Sequence, residues 1–232
     1  MKNIFRTLLV MAFAVLASCQ NKAGYELALP VEKYELDNGL TVILNEDKSD
    51  PIVSVAIYYH VGSNREVPGK TGFAHLFEHM MFQQSENVPE DQFFRLIQGA
   101  GGTLNGSTNT DRTNYYETVP KNALEMVLWM ESDRMGYLTN TITKEAFAIQ
   151  QNVVQNEKRQ SYDNRPYGHA QTVMARAMYP EGHPYSWTTI GEMKDLFNAT
   201  VEDVKDFHGR FYIPNNATLA IAGDFETDEA KA

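Results

Sequence analysis

The stretch Thr71-Gly-Phe-Ala-His-Leu-Phe-Glu-His-Met-Met-Phe82 decides the fold, and it contains an H-x-x-E-H motif formed by His75, Glu78 and His79. In an α-helix, residues four apart lie one turn apart, so both imidazoles and the carboxylate fall within an arc of roughly 100°. Two neutral imidazoles on one helix face can bind a single Zn²⁺. A carboxylate beside them can accept a proton from a water molecule that the metal activates. The motif therefore makes this helix a candidate catalytic zinc site.

The surrounding residues help to decide between a metal site and a chance pairing, because two histidines four residues apart also occur in helices that bind no metal. The segment Pro68-Gly-Lys-Thr-Gly72 is typical of a helix start, with Thr71 as the predicted N-cap. The remaining residues from Phe73 to Phe82 are apolar, which predicts a buried helix. Polar side chains in a buried helix need partners, and a metal ion supplies them. The pattern is the inverse of the H-E-x-x-H motif of metallopeptidases.

The composition is that of a globular protein. The chain has 232 residues, of which 43% are hydrophobic and 22% charged, enough for one good domain or two small ones. The formal net charge of −10 argues against nucleic acid as a partner, since phosphate binding needs a basic face.

Residues 1–19 have the features of a lipoprotein signal peptide. A basic start is followed by an apolar run over residues 8–17 that is too short to cross a membrane as a helix. The run ends in Leu16-Ala-Ser-Cys19, which resembles a bacterial lipobox, and Cys19 is the only cysteine of the chain. An ordinary signal peptide with a stray cysteine is the alternative. We expect a lipid on Cys19 that anchors the chain in the bacterial cell envelope. Gln20 favours the outer membrane, with the chain facing the periplasm.

Residues 20–30 are predicted to be a tether, and residues 31–232 to form the folded domain. The predicted order of elements is β-β-α-α-β-β-α-α-α-α-β, which indicates an α+β fold with a mostly antiparallel sheet packed against several helices. Residues 103–110 and 113–119 are predicted to pair as a hairpin around Asp111-Arg112. The first of these strands is rich in small polar residues and is a candidate exposed edge, to which a peptide could add itself as a strand. A plain surface hairpin is the alternative.

A catalytic zinc ion needs a third protein ligand and leaves one position open. The downstream carboxylates that could serve are Glu117, Glu125, Glu131, Glu145 and Glu157. In a helix predicted from about Thr143 to Tyr162, Glu157 shares with Val153 and Val154 the face expected to pack inward. A glutamate on a buried face requires a reason, so Glu157 is the first choice.

Four motifs occur in an order that resembles the pitrilysin-type zinc peptidases, which include insulin-degrading enzyme and the mitochondrial and bacterial processing peptidases. The resemblance covers roughly residues 30–230. The motifs are His75-Leu-Phe-Glu-His79, Gly101-Gly-Thr-Leu-Asn-Gly-Ser-Thr108, Asn152-Val-Val-Gln-Asn-Glu157, and Tyr212-Ile-Pro-Asn-Asn-Ala217 with Ala222-Gly-Asp224.

This resemblance implies a role for each matching residue. His75, His79 and Glu157 would bind Zn²⁺, Glu78 would be the general base, and Asn105 would contact the backbone of the substrate beside the edge strand. The implied activity is that of a zinc-dependent endopeptidase acting on peptides or unfolded segments bound in extended form. One alternative is a non-catalytic peptide-binding partner subunit of a two-chain peptidase, and another is a structural membrane lipoprotein whose histidines only pack in the core.

The chain departs from the family pattern in two places. Many members carry a second glutamate seven residues before the metal-binding one, and Gln150 stands there in this chain. Family enzymes are also two-domain clamshells, whereas this chain has the length of one half. We therefore expect either a fragment, which we favour, or a second homologous domain or subunit that completes the enzyme.

Overall fold

The computed structural model describes residues 29–231. The predicted signal peptide, with Cys19, and all of the predicted tether except residues 29 and 30 lie outside the described residues. From Val31 onward the chain forms one compact unit. In the part that the structure describes, no helix is both long enough and apolar enough to cross a membrane.

A six-stranded sheet forms one layer, in the order β1-β2-β6-β3-β5-β4. Neighbouring strands are antiparallel except for β2 and β6, which run parallel with Val42 opposite Leu219. The strands are β1 (Glu32–Glu35), β2 (Thr41–Glu46), β3 (Ile52–Tyr59), β4 (Thr103–Thr108), β5 (Thr113–Pro120) and β6 (Ala217–Gly223). The predicted α+β class is confirmed, and the predicted hairpin is β4–β5, with β4 at the open edge of the sheet.

The helices are α1 (Phe73–Met80), α2 (Gln92–Gly99), α3 (Leu124–Tyr137), α4 (Lys144–Lys158), α5 (Ala170–Met178), α6 (Met193–Asn198), α7 (Val201–Phe211) and α8 (Thr227–Lys231). A π-helical turn, Arg159–Asp163, extends α4. The predicted order lacks one strand before α1, one helix between β5 and β6, and helix α8 after β6. A turn with Gly39 at a φ of +85° separates β1 from β2. Thr200 caps α7 with a capping box and so separates it from α6.

The core lies between one face of the sheet and the helices. Along β3 every second side chain, from Val53 to Tyr59, is buried, whereas Ser54 and Tyr58 on the other face are exposed. Helix α1 packs into this core as predicted: the Phe77 ring lies 4.3 Å from the ring of Tyr212, and Phe73 lies 6.4 Å from Phe207 of α7. Burial of these aromatic side chains fixes how α1 is rotated. Its polar residues consequently lie on the side away from α7.

The start of α1 differs from the prediction that Thr71 is its N-cap. Gly72 occupies the N-cap position with a φ of +87°, and the Thr71 hydroxyl donates to Asp195 instead (2.7 Å). The buried carboxylate of Glu66 accepts from the backbone N–H groups of Gly72 (3.0 Å) and Ala74 (2.9 Å). Burial raises the pKa of Glu66 to about 8. Its side-chain oxygens satisfy N–H groups that have no partner within the helix. A residue from the preceding loop therefore replaces the local cap.

A buried ionic cluster ties α3 to the sheet. Arg134 is completely buried, donates to Glu131 on its own helix and to Glu117 on β5 (3.1 Å), and lies 4.2 Å from the centre of the Tyr115 ring. Burial, helped by the negative charge of Glu131, raises the pKa of Glu117 to about 10. At neutral pH Glu117 is therefore a neutral acid beside the Arg134 cation, which forms its ion pair with Glu131.

This charge assignment predicts unequal effects of two substitutions on the free energy of unfolding. Glu117→Gln replaces a neutral acid by a neutral amide of similar shape and should change the free energy of unfolding by less than about 1 kcal/mol. Arg134→Met leaves the Glu131 carboxylate buried without a partner and should destabilise the fold by about 3–5 kcal/mol. Urea unfolding at pH 7 measures both. A loss in Glu117→Gln as large as that in Arg134→Met would contradict the neutral form of Glu117.

Candidate metal centre

Three potential metal ligands converge where α1 and α4 meet. His75 Nε2 lies 3.6 Å and His79 Nε2 lies 3.3 Å from Glu157 Oε2. The two imidazole rings are 4.9 Å apart and nearly perpendicular, at 85°. Within residues 29–231, this is the only group of three such side chains whose ligand atoms all lie within 4.8 Å of one another. The other carboxylates considered as a third ligand lie outside this group.

The end of α4 is fastened to the start of α1. Lys158, which follows Glu157, is buried and donates from its ammonium group to the backbone carbonyl of Gly191. Gly191 lies directly against Gly72, the N-cap of α1: a Cβ atom on Gly191 would sit 2.3 Å from the Gly72 nitrogen. Both glycines have a positive φ, which only glycine adopts at little cost. These contacts hold Glu157 opposite the histidine face of α1.

The reasoning that selected Glu157 from the sequence was partly wrong. Val154 is completely buried, but Val153 is 41% exposed, so the two valines do not share the inward face. Neighbouring helix residues are separated by about 100°, which places Val153 on the outer flank. The Glu157 side chain is 42% exposed, at the border of the buried face. It reaches α1 because it lies at this border.

Two of the three distances between the ligand atoms match those around a tetrahedral metal ion. Zinc ligands lie about 2.0–2.1 Å from the ion, which puts two ligand atoms roughly 3.4 Å apart. The distances of 3.3 Å and 3.6 Å to Glu157 agree with this spacing. Two imidazoles and one carboxylate are a donor set typical of catalytic zinc, and the partial exposure of Glu157 leaves one side of the site open.

The electrostatics suit metal binding at neutral pH. Burial lowers the pKa of His75 to about 4, so its imidazole is neutral and keeps a nitrogen lone pair available. A hydrogen bond from His79 lowers the pKa of Glu157 and so favours its carboxylate form. His75 Nδ1 is buried and has no hydrogen-bond partner among the described residues. The orientation of this ring is therefore set by packing and by the neighbours of Nε2.

Glu78 lies on the same helix, between the two histidines in sequence and on the side of β4. Its Oε2 accepts a hydrogen bond from the Thr108 hydroxyl (2.5 Å). Burial raises the pKa of Glu78, and the hydrogen bond from Thr108 opposes that rise. A carboxylate whose pKa is moved toward neutrality is better suited to take up and release a proton at neutral pH.

Two other residues singled out in the sequence lie apart from the cluster. Asn105 is exposed on β4, and its Oδ1 accepts from the backbone N–H of Gly106 (2.8 Å). Strand residues alternate between faces, so Asn105 and Thr108 project from opposite faces of the sheet. Gln150 is buried on the inward face of α4, two helical turns before Glu157, and brings no charge to the site.

Sequence reasoning missed Thr108, the only hydrogen-bond donor to the Glu78 carboxylate in the part of the chain that the structure describes. The alternation of a strand places Leu104, Gly106 and Thr108 on one face. Leu104 packs against the core, and a Cβ on Gly106 would lie 3.0 Å from the Phe82 ring. The small residue at position 106 was the available signal that this face lies close to the H-x-x-E-H segment.

Comparison with known proteins identifies the class and then the family. The protein-family model described as insulinase, peptidase family M16, matches residues 41–186. The family model described as the peptidase M16 inactive domain matches residues 198–232. A mostly antiparallel α+β domain with these matches belongs to a class of zinc peptidases. The chain is a member of the insulinase family of peptidases, M16, and the resemblance to pitrilysin-type enzymes inferred from the sequence is confirmed.

Individual relatives agree with this assignment. The chain is 33% identical over 199 residues to the zinc protease PqqE of Helicobacter pylori, covering 85% of this chain and 44% of PqqE. A crystal structure of a protease from Helicobacter pylori superposes with a TM-score of 0.83 at 34% identity, covering 88% of this chain and 49% of that one. The probable zinc protease PqqL of Escherichia coli is 27% identical over 216 residues, covering 85% of this chain and 22% of PqqL. This chain therefore spans less than half the length of each of these relatives, and zinc, the expected cofactor, is part of the names of PqqE and PqqL.

The burial of His75 generates a prediction for the metal-free chain. Its imidazole should lose its proton near pH 4, well below the usual value near 6.5, because burial disfavours the cation. Glu157→Gln removes a negative charge that raises the pKa of His75, so this variant should lower that pKa further. Imidazole ¹⁵N chemical shifts followed against pH measure both values. A His75 that titrates at pH 6.5 or above would contradict the buried, neutral imidazole.

Proposed function

We propose that this chain is the zinc-binding half of a metalloendopeptidase, with His75, His79 and Glu157 as zinc ligands and Glu78 as the general base. The observation that carries the proposal is the convergence of three ligand atoms within 4.8 Å of one another, beside the half-buried carboxylate of Glu78 on the helix that carries both histidines. Membership of a family whose relatives are named zinc proteases supports it.

Bound zinc would polarise the carbonyl group of the scissile peptide bond and lower the pKa of an attacking water molecule. The Glu78 carboxylate would accept the proton of that water and later deliver it to the leaving amine. His75 and His79 would each contribute an imidazole nitrogen, and Glu157 would contribute a carboxylate oxygen. Gln150 leaves the charge of the site unchanged, because an amide is neutral.

The edge strand β4 supports an extended peptide as the substrate. The Asn109 N–H donates to the Arg112 carbonyl (2.9 Å), which closes the hairpin turn. In the alternating pattern of an antiparallel ladder, the backbone N–H and C=O groups of Gly106 and Thr108 then point away from β5, toward the open edge. A peptide could pair with these groups as an added strand and cross the site near Glu78.

Asn105 has a place in this binding mode. Its side chain occupies the Gly106 N–H, one of the donors at the open edge. An incoming peptide carbonyl would compete for that donor and release the Asn105 amide, which can then bind the peptide backbone. Asn105 is therefore proposed as a substrate-binding residue, outside the metal cluster.

The alternative is a peptide-binding partner subunit that does not cut. The match of residues 198–232 to a model described as an inactive domain favours it, although the H-x-x-E-H motif lies in the other matched region. A second homologous domain or subunit is proposed to complete the enzyme in either case. Both functions would include binding of zinc and of peptide, but only the endopeptidase would cleave the peptide.

We also propose that the chain acts in the cell envelope, attached to the outer membrane by a lipid on Cys19 and facing the periplasm. The apolar run and lipobox-like Leu16-Ala-Ser-Cys19 support this location. A solved structure of PqqL is described as that of a periplasmic protease.

Glu78→Gln tests the catalytic proposal. The variant should keep one zinc per chain, because Glu78 is not a proposed ligand, and should lose hydrolysis of an internally quenched peptide by about 100-fold or more, because the base is gone. Glu145→Gln, on the exposed start of α4, is the matched control and should behave as wild type. Unchanged turnover in Glu78→Gln would refute its role as the base. Zinc binding without any hydrolysis by wild type, assayed together with the domain or subunit that completes the enzyme, would favour the partner subunit.

A further inference from the structure

Thr108 lies where the open edge of the sheet meets the helix that carries Glu78. It is the last residue of β4, and its hydroxyl donates to Glu78 Oε2 at 2.5 Å. Among the described residues no other group donates a hydrogen bond to this carboxylate. A glutamate side chain has three rotatable bonds, so a single fixed donor largely decides where its oxygens point.

Contacts with β5 fix the position of Thr108. Thr108 is opposite Thr113 in the β4–β5 register, and the Thr113 hydroxyl lies 3.3 Å from Thr108 Oγ1. Thr113 is completely buried and donates to the backbone carbonyl of Val61 (2.9 Å), in the loop after β3. The Thr108 hydroxyl thus belongs to a chain of contacts anchored in the rigid part of the sheet.

The hairpin end is also pinned through its backbone. The Asn64 N–H donates to the Thr110 carbonyl (2.8 Å), and the Ser63 N–H donates to the Asn109 carbonyl (3.2 Å). Gly62 allows this approach, because a Cβ there would lie 2.3 Å from the Asn109 carbonyl oxygen. The end of β4 therefore has little freedom to move away from α1.

We propose that Thr108 is a positioning residue that holds the Glu78 carboxylate in place beside the strand edge at which a peptide would pair. This inference rests on the proposed function. The main chain of Thr108 faces the open edge, where a peptide would pair, while its hydroxyl donates to Oε2 of Glu78.

Three substitutions in this chain, assayed together with the domain or subunit that completes the enzyme, separate this role from a structural one. Thr108→Val keeps the shape of the side chain and removes the hydroxyl, and Thr108→Ser keeps the hydroxyl. Thr103→Val makes the same change on the same strand, at an exposed position on the opposite face. For each we would measure the zinc bound per chain, the thermal midpoint, and kcat and KM on an internally quenched peptide.

The expected pattern is a fall in kcat of about 10-fold or more for Thr108→Val, with KM and bound zinc near wild-type values, since one charge-assisted hydrogen bond is lost. Thr108→Ser and Thr103→Val should stay within about 3-fold of wild type, because neither removes that bond. A Thr108→Val variant with wild-type kcat, or a Thr108→Ser variant as slow as Thr108→Val, would overturn the inference. If Thr108→Val lowers the bound zinc or the thermal midpoint along with kcat, Thr108 has a structural role instead.

Crystal structures of the zinc-loaded wild type and Thr108→Val provide a test that does not depend on turnover. The inference expects the Thr108–Glu78 hydrogen bond in wild type and a displaced or disordered Glu78 carboxylate in the variant. A Glu78 carboxylate in the same place in both structures overturns it. If wild type shows the hydrogen bond and the variant shows a displaced carboxylate, the positioning role is supported even when wild type does not hydrolyse peptides. In that case the missing hydrolysis counts against the proposed function alone.

Discussion

The attachment of the end of α4 to the start of α1 is the constraint on which the candidate site depends. Lys158 donates to the Gly191 carbonyl, and Gly191 packs against Gly72, where α1 begins. One residue before Lys158, Glu157 reaches across to the imidazoles of His75 and His79. A shift of α4 by one residue would rotate Glu157 by about 100° and remove it from the cluster. The proposed metal ligands thus lie on separate helices whose relative position is set by a buried lysine and two glycines.

The sheet supplies the second half of the arrangement. Strands β3 and β5 are paired in register within the core. This pairing holds the turn of the β4–β5 hairpin against the loop after β3 and so places β4 beside α1. The open edge and the carboxylate of Glu78 are therefore neighbours. In the proposed function this proximity lets one surface bind a peptide backbone while the adjoining helix provides the groups that act on it.

Much of this arrangement could be predicted from the sequence, and the reasons are local. The spacing of His75, Glu78 and His79 specifies one helix face whatever surrounds it, and the apolar residues between them specify that the opposite face is buried. The Asp111-Arg112 turn and the small polar residues of β4 indicated a hairpin with an exposed edge. Glu157 was selected as a candidate although Val153, part of the reasoning for it, lies on the outer flank.

The features that were missed depend on contacts between residues far apart in the chain. Thr71 has the residue type of an N-cap, but Asp195 binds its hydroxyl and Glu66 takes over the first N–H groups of α1. Neither residue is marked by local pattern. The contact between Thr108 and Glu78 joins positions 30 residues apart and follows from the register of three strands. Local periodicity carries no information about such register, so the structure was needed to find it.

The most direct test of the central claim is the zinc content of the purified chain without residues 1–19, measured by metal analysis for wild type, Glu157→Gln and the matched control Glu145→Gln. The account predicts one tightly bound zinc per chain for wild type and Glu145→Gln, and a lost or much weakened zinc for Glu157→Gln. No zinc in the wild type, or full zinc binding by Glu157→Gln, would contradict the three-ligand site formed by His75, His79 and Glu157.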